Sequence, residues 1–160
     1  AGLRMPTSGT VFISVANRDK RAVVLPALRL AELGFDLLAT NGTAAVLERA
    51  GIAVRRVRKV SEGGPSVVDM IREGEVALIV NTPFGRGART DGYFIRTAAA
   101  TAGIPCVTTL PGAIALIRGL EALRRDGAEP RSLQELHALA GATRPVQGRL
   151  VVERGAEVDA

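Results

Sequence analysis

Five short apolar runs, each with a polar residue at or beside its end and each followed by a stretch with helical spacing, constrain the fold of this chain more than any other feature. The runs cover residues 10–15, 35–40, 52–59, 76–81 and 105–109, and helical patterns extend from Lys20 towards Gly34 and over 41–50, 66–73, 91–102 and 111–125. Strands alternating with helices predict an α/β domain, Rossmann-like and three-layered, with a five-stranded, mainly parallel sheet flanked by helices. The fourth run, Val76-Ala77-Leu78-Ile79-Val80-Asn81, is almost continuously apolar, which predicts burial on both faces. Gly51 and Gly74 fall where the second and third helices should end, the usual place for a left-handed residue. Pro26 lies inside the first helical pattern, so that helix should either kink or start late. Residues 132–140 read as a last short helix capped by Ser132.

At 160 residues and 47% hydrophobic content the chain has material for one core and is short for two ordinary domains. Residues 1–9 read as a polar linker from a preceding domain, 10–140 as the folded domain, and 141–160 as a C-terminal tail poor in core-building residues. Aromatic residues make up only 3%, leaving few platforms on which bases could stack, so no nucleic-acid partner is expected. The net charge of +5 is spread among acidic residues and describes an ordinary solvated surface. A lone cysteine, Cys106, excludes an internal disulfide framework. No apolar run approaches roughly 18 residues and no leader opens the chain, so no membrane association and a cytoplasmic location are expected.

Ligands of open parallel sheets bind outside the carboxyl ends of the strands. Here those ends are Ser14, Thr40, Lys59, Asn81 and Thr109, a rim of hydrogen-bonding side chains on an apolar sheet. Thr40-Asn41-Gly42-Thr43 joins a strand to a helix. Backbone N–H groups, two hydroxyls and the positive end of a helix can therefore converge there on an anion. Of 21 basic residues only Lys20 and Lys59 are lysine, the rest being arginine. Coding bias accounts for such a split, yet a lysine kept under that bias also marks a place where a compact ammonium serves and a planar guanidinium does not. If the first and third strands flank the second, both lysines can reach an anion held by the Thr40 loop. The chain has neither G-x-G-x-x-G nor G-K-[ST], which removes dinucleotide and P-loop sites. Cys106 and His137 make a poor nucleophilic pair by position, Asp91 reads as an N-cap, and no residues have metal-ligand spacing.

Taken as a set, Phe12-Ile13-Ser14-Val15 with Asp19-Lys20, Ala39-Thr40-Asn41-Gly42-Thr43, Arg58-Lys59-Val60 with Glu62-Gly63, Ile79-Val80-Asn81-Thr82 and Cys106-Val107-Thr108-Thr109 resemble one family. It is the methylglyoxal synthase-like domain, in the form found as the C-terminal allosteric domain of the carbamoyl phosphate synthetase large chain. The resemblance covers about residues 9–138. It implies a domain that binds UMP or IMP as effector and has no catalytic residues, cofactor or metal of its own. Its partners would be the synthetase domains of the same chain, where ATP and magnesium act, and through them a glutaminase small subunit. The assembly would supply carbamoyl phosphate for pyrimidine and arginine synthesis. The resemblance places the effector phosphate on Lys20, Thr40, Gly42, Thr43 and Lys59, and the ribose and base on Ser14, Asn81, Asp91, Phe94 and Ile95.

Pro83 stands where that family has a threonine, so the preferred nucleotide stays open. Sister enzymes eliminate phosphate from dihydroxyacetone phosphate with a carboxylate base in the loop after the third strand. Here Ser61-Glu62-Gly63-Gly64-Pro65-Ser66 lacks the Asp expected after the glycines, and Glu62 precedes them, misplaced for proton abstraction. A methylglyoxal synthase-type lyase is therefore the alternative, and a nucleotide-cyclising domain of purine synthesis fits the segment from Ile79 to Leu110 less well.

Overall fold

Strand β1, Thr10–Ser14, carries Val11, Phe12 and Ile13 with no exposed surface at all, so it has to lie in the middle of a sheet covered on both faces. The computed structural model describes residues 5–58, 66–82 and 91–126. Its further strands are β2 (Asp36–Thr40), β3 (Arg55–Val57), β4 (Leu78–Asn81) and β5 (Cys106–Val107), and its helices α1 (Val24–Glu32), α2 (Asn41–Arg49), α3 (Val67–Arg72), α4 (Asp91–Ala102) and α5 (Leu110–Asp126). The strand order is β3-β2-β1-β4-β5 with every pairing parallel. Phe12 stands opposite Leu38 on one side and Ile79 on the other.

The chain steps outward from β1 through β2 to β3, then returns to the other flank of β1 for β4 and β5. With right-handed crossovers that reversal sends the helices to opposite faces. On one face Ala27 and Leu30 of α1, Ala44 and Leu47 of α2, and Ile117 and Leu120 of α5 meet Val11, Ile13, Leu37, Ala39, Leu78 and Val80. On the other, Val67 and Ile71 of α3 and Ile95 and Ala99 of α4 meet Phe12, Leu38 and Ile79. The alternation of strand side chains between these two clusters is the period of two expected of a strand buried on both sides.

The five strands and the helices between them lie where the periodicity places them, with informative differences at the ends. Pro26 is the third residue of α1, which starts at Val24, so the helix starts late, placing the missing N–H in a turn that has no partner for it. Strand β3 is three residues long, and its Arg55 and Arg56 are exposed, as suits an edge. Strand β5 stops at Val107 because Thr109 turns to cap α5, its Oγ1 accepting the Gly112 N–H at 3.2 Å. Cys106 is thus half-buried on the other edge strand, not enclosed in a central one. The last short helix expected over 132–140, and the tail, lie outside the described residues.

Helix α3 is held at its start by Asp69, whose Oδ2 accepts both the Ser66 N–H at 2.9 Å and the Ser66 hydroxyl at 3.0 Å. Gly74 ends the turn behind it with φ of +77°, which a side chain would resist. The Ser66 backbone bond, then its hydroxyl, hold the Asp69 carboxyl below the usual carboxylate range. A carboxyl lowered by folding adds stability above its unfolded pKa and loses it as the pH falls through the folded value. Ser66→Ala, which removes the hydroxyl but keeps the backbone N–H, should therefore lower the midpoint of a denaturant titration at neutral pH, and its deficit should shrink in acid below the ordinary carboxylate range.

Candidate functional site at the carboxyl edge of the sheet

The strand order changes sense between β1 and β4, and it is outside the carboxyl ends at such a switch point that parallel sheets receive ligands. Ser14 ends β1, Thr40 ends β2 and Asn81 ends β4, so the polar rim expected from sequence forms across the three central strands. Ser14 Oγ and Thr40 Oγ1 lie 3.4 Å apart. The Val15 N–H donates to Thr43 Oγ1 at 3.4 Å, and the Ala16 N–H donates to Thr82 Oγ1 at 2.9 Å. The chain leaving β1 is thus fastened to α2 on one side and to the end of β4 on the other, which fixes the turn that carries Lys20.

Thr40 is the N-cap of α2 but makes no side-chain capping bond, so the first N–H groups of the helix have no hydroxyl closing them off. Over that open end lies Lys20. Its Nζ is 2.8 Å from the point where a Cβ on Gly42 would stand, and among the described residues it enters no ion pair. A half-buried ammonium beside the positive end of a helix is electrostatically unfavourable by itself. It becomes favourable when an anion takes the space both address. Strand β2 is flanked by β1 and β3, the condition under which Lys20 and Lys59 share a target. Lys59 itself lies outside the described residues, as do Glu62, Pro83 and His137.

At the β4 end, Asn81 is 3% exposed and its Nδ2 donates to the Gly92 carbonyl at 3.4 Å. Asp91 is the first residue of α4 and so stands within the first turn, not at the cap before it. Phe94 is exposed and meets Tyr93 edge-on, centroids 5.8 Å apart. Ile95 is only 2% exposed and packs into the α3–α4 cluster, so its side chain serves the core. Two residues at this edge were not singled out as site residues from sequence. Thr82 locks the turn after β1, and Arg96 lies across Gly92 with Nη1 3.0 Å from that residue's Cβ position. The signal for Arg96 was its spacing of four from Gly92 on a helix that starts at the rim.

Burial pushes the Cys106 thiol up, only partly opposed by the Arg96 charge, which leaves it short of the thiolate a nucleophile needs. Among the described residues no group of His, Cys, Asp and Glu is placed to hold a metal ion, and no helix is long and apolar enough to cross a membrane. The arrangement is suited to holding an anion and a polar group near it. Gly42→Ala should push a methyl group into the Lys20 ammonium and weaken binding of inorganic phosphate severalfold by calorimetry, with the fold retained because a flexible side chain can move aside.

Comparison with known proteins places the chain in context. A family model described as the MGS-like domain matches residues 22–108. The carbamoyl phosphate synthase large chain of Corynebacterium glutamicum is 56% identical over 142 residues, 84% of this chain and 13% of that one. Those of Beutenbergia cavernae and Mycobacterium tuberculosis are 54% identical, over 90% and 86% of this chain and again 13% of theirs. The chain therefore spans a small part of the length of these relatives. Among solved structures, methylglyoxal synthase from Elizabethkingia anophelis superposes with a TM-score of 0.57 at 19% identity, over 71% of this chain and 79% of that one. ForH superposes with a TM-score of 0.54 at 18% identity, over 85% and 90%. Both show a shared fold.

Proposed function

The chain belongs to the MGS-like domain family, and we propose that it is the regulatory nucleotide-binding domain of a carbamoyl phosphate synthetase large chain, taking an effector of the UMP or IMP type. The observation that carries this is the Lys20 ammonium lying over Gly42 at the open N-terminus of α2, a place built for a phosphate. Thr40 and Thr43 supply hydroxyls beside it, and Lys59 is expected to close the far side. Ser14, Asn81 and Asp91 are the candidates for the ribose. High identity to large chains of carbamoyl phosphate synthase over most of this sequence supports the parent assignment. In that parent, ATP and magnesium would act in other domains and a glutaminase subunit would supply ammonia.

The domain has no chemistry of its own in this account. Occupancy would shift the activity of the attached synthetase, and by linkage the synthetase's substrates would shift effector affinity by the same factor. Thermal unfolding with UMP, IMP and dihydroxyacetone phosphate tests it. A nucleotide at 100 times its dissociation constant should stabilise the chain by about 2.7 kcal/mol. No shift with any nucleotide, or release of methylglyoxal from dihydroxyacetone phosphate, would overturn it.

A further inference from the structure

Lys20 is not the only cation set against the positive end of a helix. Arg96 projects from the second turn of α4, and because side chains on a helix lean towards its N-terminus, residue i lies over residue i−4. Residue i−4 is Gly92, and with no Cβ there the guanidinium settles across the first turn. Its Nη1 is 3.0 Å and the Asn81 Nδ2 3.2 Å from the single point a Gly92 Cβ would fill. The two groups thus converge at the carboxyl end of β4. Among the described residues Arg96, half-buried, enters no ion pair or hydrogen bond. Among the described residues the Asn81 side chain makes one hydrogen bond, as donor to the Gly92 carbonyl. A cation placed where the helix dipole favours anions, with no compensating ion pair or hydrogen bond among the described residues, breaks a local rule in the way a site completed by a ligand does.

We propose that Arg96 reads the base of the bound nucleotide, donating to the carbonyl edge of an oxo-base and so favouring oxo-bases over amino-bases. This rests on the regulatory-nucleotide reading above. The strand order sets the β2 and β4 ends two strand spacings apart, roughly 10 Å. A phosphate at Lys20 and a base at Arg96 can thus belong to one mononucleotide lying across Ser14. The guanidinium fork offers two parallel N–H donors, matched by the adjacent O6 and N7 acceptors of a 6-oxopurine and, with one donor, by a uracil carbonyl. An exocyclic amino group turns a donor towards those donors and leaves them unpaired. Asn81, beside it, has donor and acceptor both and adapts to either base.

Calorimetric titration of the 160-residue chain with IMP, UMP, AMP and inorganic phosphate tests this in the wild type, Arg96→Ala and Gly92→Ala. Arg96→Ala should weaken IMP and UMP about tenfold or more, the worth of a hydrogen bond from a charged group, while AMP and inorganic phosphate bind as before. Gly92→Ala keeps every charge and raises helix propensity, yet its methyl displaces the guanidinium, so the preference for IMP over AMP should fall in a chain that is fully folded. Unchanged IMP binding in Arg96→Ala, or equal weakening of IMP, AMP and inorganic phosphate, overturns the proposal while leaving the regulatory reading standing. A wild type that binds inorganic phosphate but no nucleotide overturns both.

Discussion

Lys20→Ala should weaken UMP or IMP binding by roughly 10- to 150-fold, corresponding to the loss of about 1.5–3 kcal/mol from a hydrogen bond between charged partners. The same substitution should leave the unliganded chain as stable as before, or more stable by a few tenths of a kcal/mol. The two signs differ because one position plays against itself in the two states. Without ligand the ammonium lies against the open N-terminus of α2 with no ion pair among the described residues. Its removal therefore relieves a repulsion with the helix dipole. With ligand it faces a phosphate and the repulsion becomes attraction. Lys20→Arg should not restore full affinity, since the space over Gly42 admits a compact ammonium and a planar fork fits it poorly. Arg55→Ala provides the control. Arg55 is exposed on β3 and 4.0 Å from Glu75, a pair whose loss costs about 0–1 kcal/mol and which has no part in the site. Equal, small effects at Lys20 and Arg55 would reduce Lys20 to an ordinary surface charge.

Thr82→Val should destabilise the chain by about 1–3 kcal/mol and weaken nucleotide binding as well. The side chain is 5% exposed, and its hydroxyl accepts the N–H of Ala16, itself 3% exposed. Valine has almost the same shape, so no cavity forms; what is lost is the acceptor, leaving a buried donor without a partner. The Thr82 N–H also donates to the Ser14 carbonyl at 3.1 Å, so this residue ties the end of β4 to the end of β1 through both backbone and side chain. Ala16 leads directly into the short 3-10 turn Asn17–Asp19 and then Lys20. Loosening it should let the ammonium leave Gly42, which is why affinity falls with stability. Thr82→Ser keeps the hydroxyl and should recover most of both. A valine variant with wild-type stability and affinity would show that the bond is not what positions the turn.

The sheet was legible in the sequence because each strand has a strong local signature. Val11 to Ile13 and Leu78 to Val80 are apolar without interruption, and they occupy the central strands of the sheet. The strand ends were less legible where tertiary context decides them. Ile52 to Lys59 form a long amphipathic pattern, but among the described residues only Arg55–Val57 pairs with β2, since an edge strand is held from one side alone. The expectation that Thr40, Gly42 and Thr43 act together came from their adjacency in sequence, and they do sit on a strand-to-helix turn. The expectation for Lys20 came from the scarcity of lysine. Ile95 was placed with the base by resemblance, and its burial with Phe12 and Ala99 follows from the rotation of α4, which position along the chain does not reveal. Thr82 and Arg96 act through partners far away in sequence or one helical turn back, so nothing in their immediate neighbours marks them.

A crystal structure of the chain grown with UMP or IMP tests the central claim most directly. The account predicts the phosphate within hydrogen-bond distance of Lys20 Nζ, the first backbone N–H groups of α2 and the Thr40 or Thr43 hydroxyl, with the rest of the nucleotide crossing Ser14 towards Asn81. A nucleotide bound elsewhere on the domain, with the space between Lys20 and the start of α2 holding only solvent, would contradict it.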